Sequence, residues 1–157
     1  MTVEERRESS LRLSGYLQVW RSSLAQQRER LRSQGVLKGG PDTWLYIVAL
    51  GAGLRCVGLA ETLGAEVADA RARFDSLVPD AKHVRDVIEH LEDYELGVCD
   101  QQVGRSGSRL EFLWCSSSQG VEYLELQGVG LHFDLAVAHA AALELLDAAT
   151  AALHDVA

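Results

Sequence analysis

The sequence lacks several residues and patterns that would define particular classes of protein. It has no asparagine, two prolines and three cysteines (Cys56, Cys99 and Cys115), and no two cysteines form a C-x-x-C pair. An odd number of widely spaced cysteines argues against a disulfide framework or a cysteine zinc site and favours reduced thiols in the cytoplasm. Thirteen arginines against two lysines indicate a coding bias, so arginine content alone carries no functional meaning.

A long uninterrupted apolar segment is also missing. The longest apolar run, from Trp44 to Leu54, ends at Arg55 and is shorter than the ~20 residues of a membrane-spanning helix. The first ten residues, MTVEERRESS, are charged and lack the apolar core of a signal peptide. Because 47% of the 157 residues are hydrophobic, the chain can still bury a core. These features predict one cytoplasmic domain, residues 1–157, with no membrane segment.

The net charge of −8 is unevenly distributed along the chain. Residues 1–40 carry eight basic and four acidic groups, hence +4, whereas residues 41–157 carry seven basic and nineteen acidic groups, hence −12. An acidic chain repels polyanions at long range, so a nucleic-acid partner would need the arginines of the first segment or a groove between two chains. The simpler interpretation of residues 1–40 is a salt-bridged surface helix.

Hydrophobic periodicity predicts that residues 4–33 form one long amphipathic helix. Five apolar residues follow 4-3-4-7 spacing on one stripe: Leu13, Leu17, Trp20, Leu24 and Leu31. The opposite, polar face is assigned five charged residues: Arg7, Arg21, Arg28, Glu29 and Arg32.

The second predicted helix begins near Pro41 and is apolar on nearly all sides as far as Leu63. It is expected to bend at Gly64 and to continue to Leu77, before Pro79. Three interior glycines permit close backbone approach or leave room for a small-molecule pocket: Gly51, Gly53 and Gly58.

A third helix is predicted over residues 80–98 and a last one over 135–153, the latter capped by Asp134. His139 lies on the apolar stripe of the last helix, which predicts a hydrogen-bonded core histidine. Between these helices, residues 109–115 and 121–127 are β-prone runs joined by SSSQG. The expected fold is therefore mainly α: an up-and-down four-helix bundle with a β-hairpin, at about 109–127, inserted before the last helix.

The third predicted helix carries the strongest candidate site. His83, Asp86, His90 and Asp93 recur at 3-4-3 spacing and line one polar face. Asp86 precedes His90 by four residues, close enough to orient its imidazole and raise its pKa. Arg85 lies about 140° around the helix from His90, so the two residues flank an apolar stripe where another helix could dock.

The segment Arg85-Asp86-Val87-Ile88-Glu89-His90 resembles the signature of the HEPN superfamily. In that signature an arginine is followed, after four to six residues, by a histidine on a late helix of a four-helix up-and-down bundle. The residue after the arginine is often Asn, Asp or His. The sequence resemblance covers residues 80–96, and the rest of the chain contributes only the number and order of helices.

The resemblance implies a homodimer that cleaves RNA without a metal or another cofactor. By this analogy Arg85 holds the scissile phosphate, as a guanidinium does well. His90 acts as the general base on a ribose 2′-hydroxyl, which leaves a cyclic phosphate, and Asp86 orients the imidazole. The implied setting is a toxin or defence system, with an antitoxin protein as a further partner.

Two further residues are assigned to substrate binding, His83 and Tyr94. The toxin branch of the superfamily commonly has His-x-Tyr, whereas here Glu92 is the second residue after His90 and Tyr94 is the fourth. Residues 75–100 also hold eight acidic groups against two basic ones, which opposes the approach of an RNA backbone.

Two alternatives remain open at this point. The first is a non-catalytic helical module that dimerises or holds a protein partner, in which Arg85–Glu89 and Asp86–His90 are simply intrahelical ion pairs. The second is a small-molecule pocket in the bundle core.

Overall fold

The computed structural model describes residues 2–34, 41–79, 81, 111–116, 122–127 and 131–156. Within these ranges the chain is mainly helical, which confirms the mainly α part of the predicted fold class. Four helices and three strands occur in this order: α1 (Val3–Gln34), α2 (Pro41–Thr62), α3 (Ala68–Leu77), β1 (Glu111–Ser116), β2 (Glu122–Gln127), β3 (Leu131–Asp134) and α4 (Leu135–Val156). Apart from Ala81, the predicted helix over 80–98 lies outside the described residues.

Helix α1 begins with a capping box. The Thr2 hydroxyl accepts a hydrogen bond from the Glu5 N–H at 3.2 Å, and the Glu5 carboxylate accepts one from the Thr2 N–H at 2.6 Å. The predicted apolar stripe is confirmed, because its four leucines are at most 7% exposed: Leu13, Leu17, Leu24 and Leu31. Trp20 is partly buried and packs against the same core.

Helix α2 ends near Gly64 rather than bending there, so the prediction of one helix continuing to Leu77 was wrong. The Gly64 N–H donates to the Glu61 carbonyl and the Ala65 N–H donates to the Ala60 carbonyl, both at 3.0 Å. This pair of bonds is the Schellman motif, and it places Gly64 at a φ of +95°. The helix stops because these bonds satisfy its last carbonyl groups, and α3 starts afresh at Ala68.

Helix α4 is the central element of the described core. Asp134 caps it, as predicted, by accepting a hydrogen bond from the Val137 N–H at 3.0 Å. The helix contacts α1, α2, α3, β2 and β3. It runs antiparallel to α1, because Arg21 pairs with Asp147 while Arg28 lies near Asp134 at the start of α4.

The strands form one antiparallel sheet in the order β1-β2-β3. In β1 and β2, Glu111 pairs with Gln127 and Ser116 pairs with Glu122, over the two runs that the sequence indicated as β-prone. Strand β3 was not predicted: its four residues pair with β2 and lead directly into α4. Leu124 of β2 is fully buried, which attaches the sheet to the core.

Helices α2 and α4 are each long and apolar enough to cross a membrane by length and composition, over Asp42–Thr62 and Leu135–Asp155. Half of the α2 window and 39% of the α4 window are buried inside the protein. Core helices of soluble proteins pass the same criterion, so this finding is weak evidence for a membrane location.

Candidate functional site

The residues that the sequence assigns to catalysis, Arg85, Asp86 and His90, lie outside the described residues. The substrate-binding candidates His83 and Tyr94 lie outside them as well. These assignments stay predictions, and the site geometry given below belongs to other side chains.

A polar cluster that the sequence analysis did not identify lies between α1, α2, α4 and β2. We call it the internal polar cluster, and its members are Arg28, Tyr46, Glu122 and His139. The Arg28 Nη2 atom forms an ion pair with Glu122 Oε2, and the two side chains are only 11% and 20% exposed. The assignment of Arg28 to the exposed polar face of α1 was therefore wrong.

The sequence contained a signal for this burial. Arg28 follows Leu24 by four residues and precedes Leu31 by three, so it lies in the seven-residue gap of the apolar stripe. A charged residue at a stripe position needs a partner when the stripe is buried. That partner comes from β2, more than ninety positions away in the chain, and helix periodicity carries no information about it.

Tyr46 and His139 form the other half of the internal polar cluster. Tyr46 is fully buried, its hydroxyl lies 3.4 Å from His139 Nδ1, and the ring centroids are 6.0 Å apart. Burial raises the pKa of Tyr46 well above its ordinary range, so the phenol keeps its proton and can donate it to Nδ1. His139 is hydrogen-bonded, as the sequence predicted, but it is half-buried rather than fully buried.

Burial and two nearby cations favour the neutral form of His139 near pH 7. Burial lowers the pKa of His139, and the cations Arg28 and Arg21 lower it further. Burial also lowers the pKa of Arg28, and the Asp134 carboxylate opposes this shift. The guanidinium stays protonated, as guanidinium groups do in proteins.

A cation beside a neutral imidazole could bind a phosphate and move a proton if both groups faced a pocket. Neither of two surface pockets that described residues line contains a member of the cluster, and Tyr46 has no exposed surface. The internal polar cluster thus links four elements through buried polar contacts. Its geometry fits a structural role better than a catalytic one.

The basic residues of α1 are largely neutralised by acidic neighbours. Four of its seven arginines form ion pairs: Arg12 with Glu8, Arg21 with Asp147, Arg28 with Glu122, and Arg30 with Asp42. This arrangement matches the salt-bridged surface helix that the charge pattern favoured, except that Arg28 is internal. It also weakens the positive field that α1 could offer to a nucleic acid.

The bundle interior beside Gly53 is filled rather than open. A Cβ atom at Gly53 would lie 3.2 Å from a methyl group of Leu146, so glycine lets α2 approach α4 closely at this point. Among the described residues, no group of three or more His, Cys, Asp or Glu side chains is placed to hold a metal ion.

Two pockets open on the surface of the described residues. The larger, of about 720 Å³, lies where the end of α2, the start of α3 and α4 meet, and Glu61, Glu66 and Asp69 make its lining acidic. The smaller, of about 470 Å³, is a groove between α1 and α2 that Tyr16 and Leu59 border.

No protein-family model, no curated protein and no solved structure matches this chain. The resemblance to the HEPN superfamily therefore depends on residues 80–96 and on the helical character of the fold.

Proposed function

We propose that this protein is a HEPN-like endoribonuclease that acts as a cytoplasmic homodimer without a metal ion. The observation that carries the proposal is the spacing of Arg85 and His90 on a segment whose periodicity predicts a helix. The proposed fold is the complete up-and-down bundle, in which this helix is the third and the β-hairpin precedes the last. The mainly helical structure of the described residues supports that architecture.

In the proposed reaction, His90 takes the proton of a ribose 2′-hydroxyl, and the oxygen attacks the adjacent phosphorus. The bond from phosphorus to the 5′-oxygen breaks, that oxygen takes a proton from solvent, and a 2′,3′-cyclic phosphate remains. Arg85 neutralises the charge on the phosphate oxygens, Asp86 orients the imidazole, and His83 and Tyr94 contact the RNA.

The ion pairs of α1 restrict where RNA would be held. Since Arg12, Arg21, Arg28 and Arg30 are paired with carboxylates, the general field around α1 contributes little attraction. The phosphate must then be bound by local contacts with Arg85 and its copy in a second chain. In a toxin system, an antitoxin protein would block this site.

The test is cleavage of a mixed RNA substrate in EDTA by the purified protein, with 2′,3′-cyclic phosphate ends as the readout. Arg85→Ala and His90→Ala are each expected to lower the rate by about 100-fold or more while leaving Tm nearly unchanged. Arg73→Ala and His154→Ala are the matched controls, because both side chains are exposed, and they should retain full activity.

Two results would contradict the proposal. Intact RNA after incubation with the wild-type protein in EDTA would exclude metal-independent cleavage. A loss of several degrees in Tm for both Arg85→Ala and His90→Ala would show that the pair stabilises the fold instead.

A non-catalytic interaction module is the second candidate function. The exposed apolar side chains of α1 and α2 favour it, since a continuous apolar face is typical of a protein-binding surface. Under this candidate the wild-type protein cleaves no RNA, and Arg85→Ala leaves its association with a partner unchanged.

A further inference from the structure

Helix α2 carries an apolar stripe that is partly exposed to solvent. We call it the outer stripe, and it consists of Leu45, Val48, Ala52, Cys56 and Leu59, of which Cys56 is partly buried and packs against the core. Leu45, Val48 and Leu59 are 47%, 42% and 56% exposed. Ala52, at the middle of the stripe, is buried, with an exposure of 8%.

The spacing of the outer stripe is symmetric about Ala52. Its members are separated by three, four, four and three residues, with leucines at both ends and the smallest side chain at the centre. An interface with two-fold symmetry must be complementary to itself. If a second copy of α2 lies antiparallel across Ala52, each Leu45 faces Leu59 of the second copy, and Val48 faces Cys56.

Helix α1 completes this face. Tyr16 and Val19 are 59% and 57% exposed, and Tyr16 borders the groove of about 470 Å³ beside Leu59. Because Leu59 lies opposite Leu45 in the symmetric arrangement, this groove is placed to receive Leu45 of the second copy. The recess beside one end of the stripe thus matches a projecting leucine at the other end.

The size and charge of the face both suit a second copy of the chain. Helix α2 has 22 residues, hence a length of about 33 Å, and two adjacent helices are roughly 20 Å wide. The outline of this two-helix face is roughly 650 Å², of the same order as the ~800 Å² of accessible surface that each partner of a standard interface buries. Between Asp42 and Glu61 helix α2 carries one charged residue, Arg55, and no carboxylate, so two copies of a chain with charge −8 can meet here without direct acid–acid contact.

We propose that two copies of this protein associate through the outer stripe, antiparallel and centred on Ala52, with Tyr16 and Val19 at the rim. The inference rests on α1 and α2 alone. It does not require the nuclease activity, and the Arg85→Ala and His90→Ala variants should dimerise like the wild type.

Sedimentation equilibrium over a range of protein concentrations tests the proposal. The wild-type protein should reach twice the chain mass of 17.2 kDa, whereas Leu59→Glu and Leu45→Glu should remain at the mass of one chain. Leu77→Glu is the matched control, because Leu77 is 53% exposed on α3, away from the stripe, and this variant should dimerise normally. Circular dichroism establishes that each variant is folded.

A disulfide at the symmetry axis tests the geometry. With Cys56 changed to alanine and Cys99 and Cys115 changed to serine, Ala52→Cys should form a cross-linked dimer under mild oxidation, since the axis brings the two positions together. Leu77→Cys in the same background should not cross-link.

Three results would overturn the proposal. They are a wild-type protein that stays at the mass of one chain at all concentrations, a dimer that survives Leu59→Glu, and an Ala52→Cys variant that does not cross-link. A wild-type monomer that floats with phosphatidylcholine vesicles would assign the stripe to lipid instead.

Discussion

The guanidinium of Arg28 lies in the interior because charges from distant parts of the chain compensate its burial. Glu122 pairs with it directly, and the Asp134 carboxylate adds a favourable interaction. A buried ion pair contributes little net stability compared with apolar residues of the same size, but loss of one partner is costly. The pair therefore favours the observed position of β2 on α1, because other positions would leave Arg28 or Glu122 buried without its partner.

Removal of the carboxylate should reveal this asymmetry. We expect Glu122→Ala to lower the free energy of unfolding by about 3 kcal/mol, because a buried cation then loses a facing carboxylate. Urea denaturation provides the measurement. Asp147→Ala is the matched control: its pair with Arg21 is about half exposed, so the loss should stay below about 1 kcal/mol.

A double variant separates pairing from simple packing. Arg28→Met combined with Glu122→Met should cost less than the sum of the two single changes, because neither charge is then left facing an apolar neighbour. Strictly additive costs would contradict the assignment of a coupled pair.

His139 makes the stability of the fold depend on pH. Burial and the cations Arg28 and Arg21 lower its pKa in the folded state. Above the ordinary histidine pKa of 6.5 the His139 imidazole is neutral in both the folded and the unfolded chain. As the pH falls below 6.5, His139 binds a proton in the unfolded chain while it stays neutral in the folded chain. The free energy of unfolding should therefore decrease from about pH 7 toward about pH 5.5.

Urea denaturation at both pH values, for the wild type and for His139→Gln, checks this prediction. The glutamine variant should lose less stability on acidification than the wild type. His154→Gln is the control, since His154 is exposed at the end of α4, and its dependence on pH should match that of the wild type. Equal slopes for the wild type and His139→Gln would contradict the prediction.

At the scale of elements, Gly64 decides where α2 ends. Its φ of +95° is a conformation that residues with a side chain rarely adopt. We expect Gly64→Ala to lower the free energy of unfolding by roughly 1–2 kcal/mol, although nothing lies within 4 Å of the added Cβ. The loss of stability in Gly64→Ala comes from the positive φ angle and not from a steric clash of the added Cβ.

Gly15 provides the matched comparison. A Cβ atom added at Gly15 would also meet open space, but this residue lies within the regular helix α1. Gly15→Ala should raise the free energy of unfolding by about 0.5–1 kcal/mol, because alanine is the better helix former. In thermal denaturation, Gly64→Ala should lower Tm and Gly15→Ala should raise it. A lower Tm in both variants would contradict this explanation.

The elements differ in how far the sequence alone could predict them. Helices α1 and α4 were predicted closely because each has a long apolar stripe, and α4 also has the cap Asp134. Strand β3 was missed because four residues are too few for an alternation pattern, and its pairing with β2 is a tertiary interaction. The internal polar cluster was missed for the same reason: its partners come from four elements.

At the scale of the whole molecule, charge argues against general binding of polyanions. The net charge is −8, and four arginines of α1 are paired. We expect the wild-type protein to pass through a heparin column at about 150 mM salt, where long-range attraction is screened beyond about 8 Å. Glu8→Gln combined with Asp147→Asn releases Arg12 and Arg21 and should increase retention at low salt. Strong retention of the wild-type protein at about 150 mM salt would contradict this prediction.

The central position of α4 also has a consequence for biosynthesis. The partners of Arg21 and Gly53 on this helix, Asp147 and Leu146, are translated about 90 to 130 residues later. A nascent chain that has reached only Leu77 exposes the apolar inner sides of α1 and α2 without the helix that covers them. Ribosome-associated chaperones therefore have a defined interval in which to bind this chain, which ends when α4 leaves the exit tunnel.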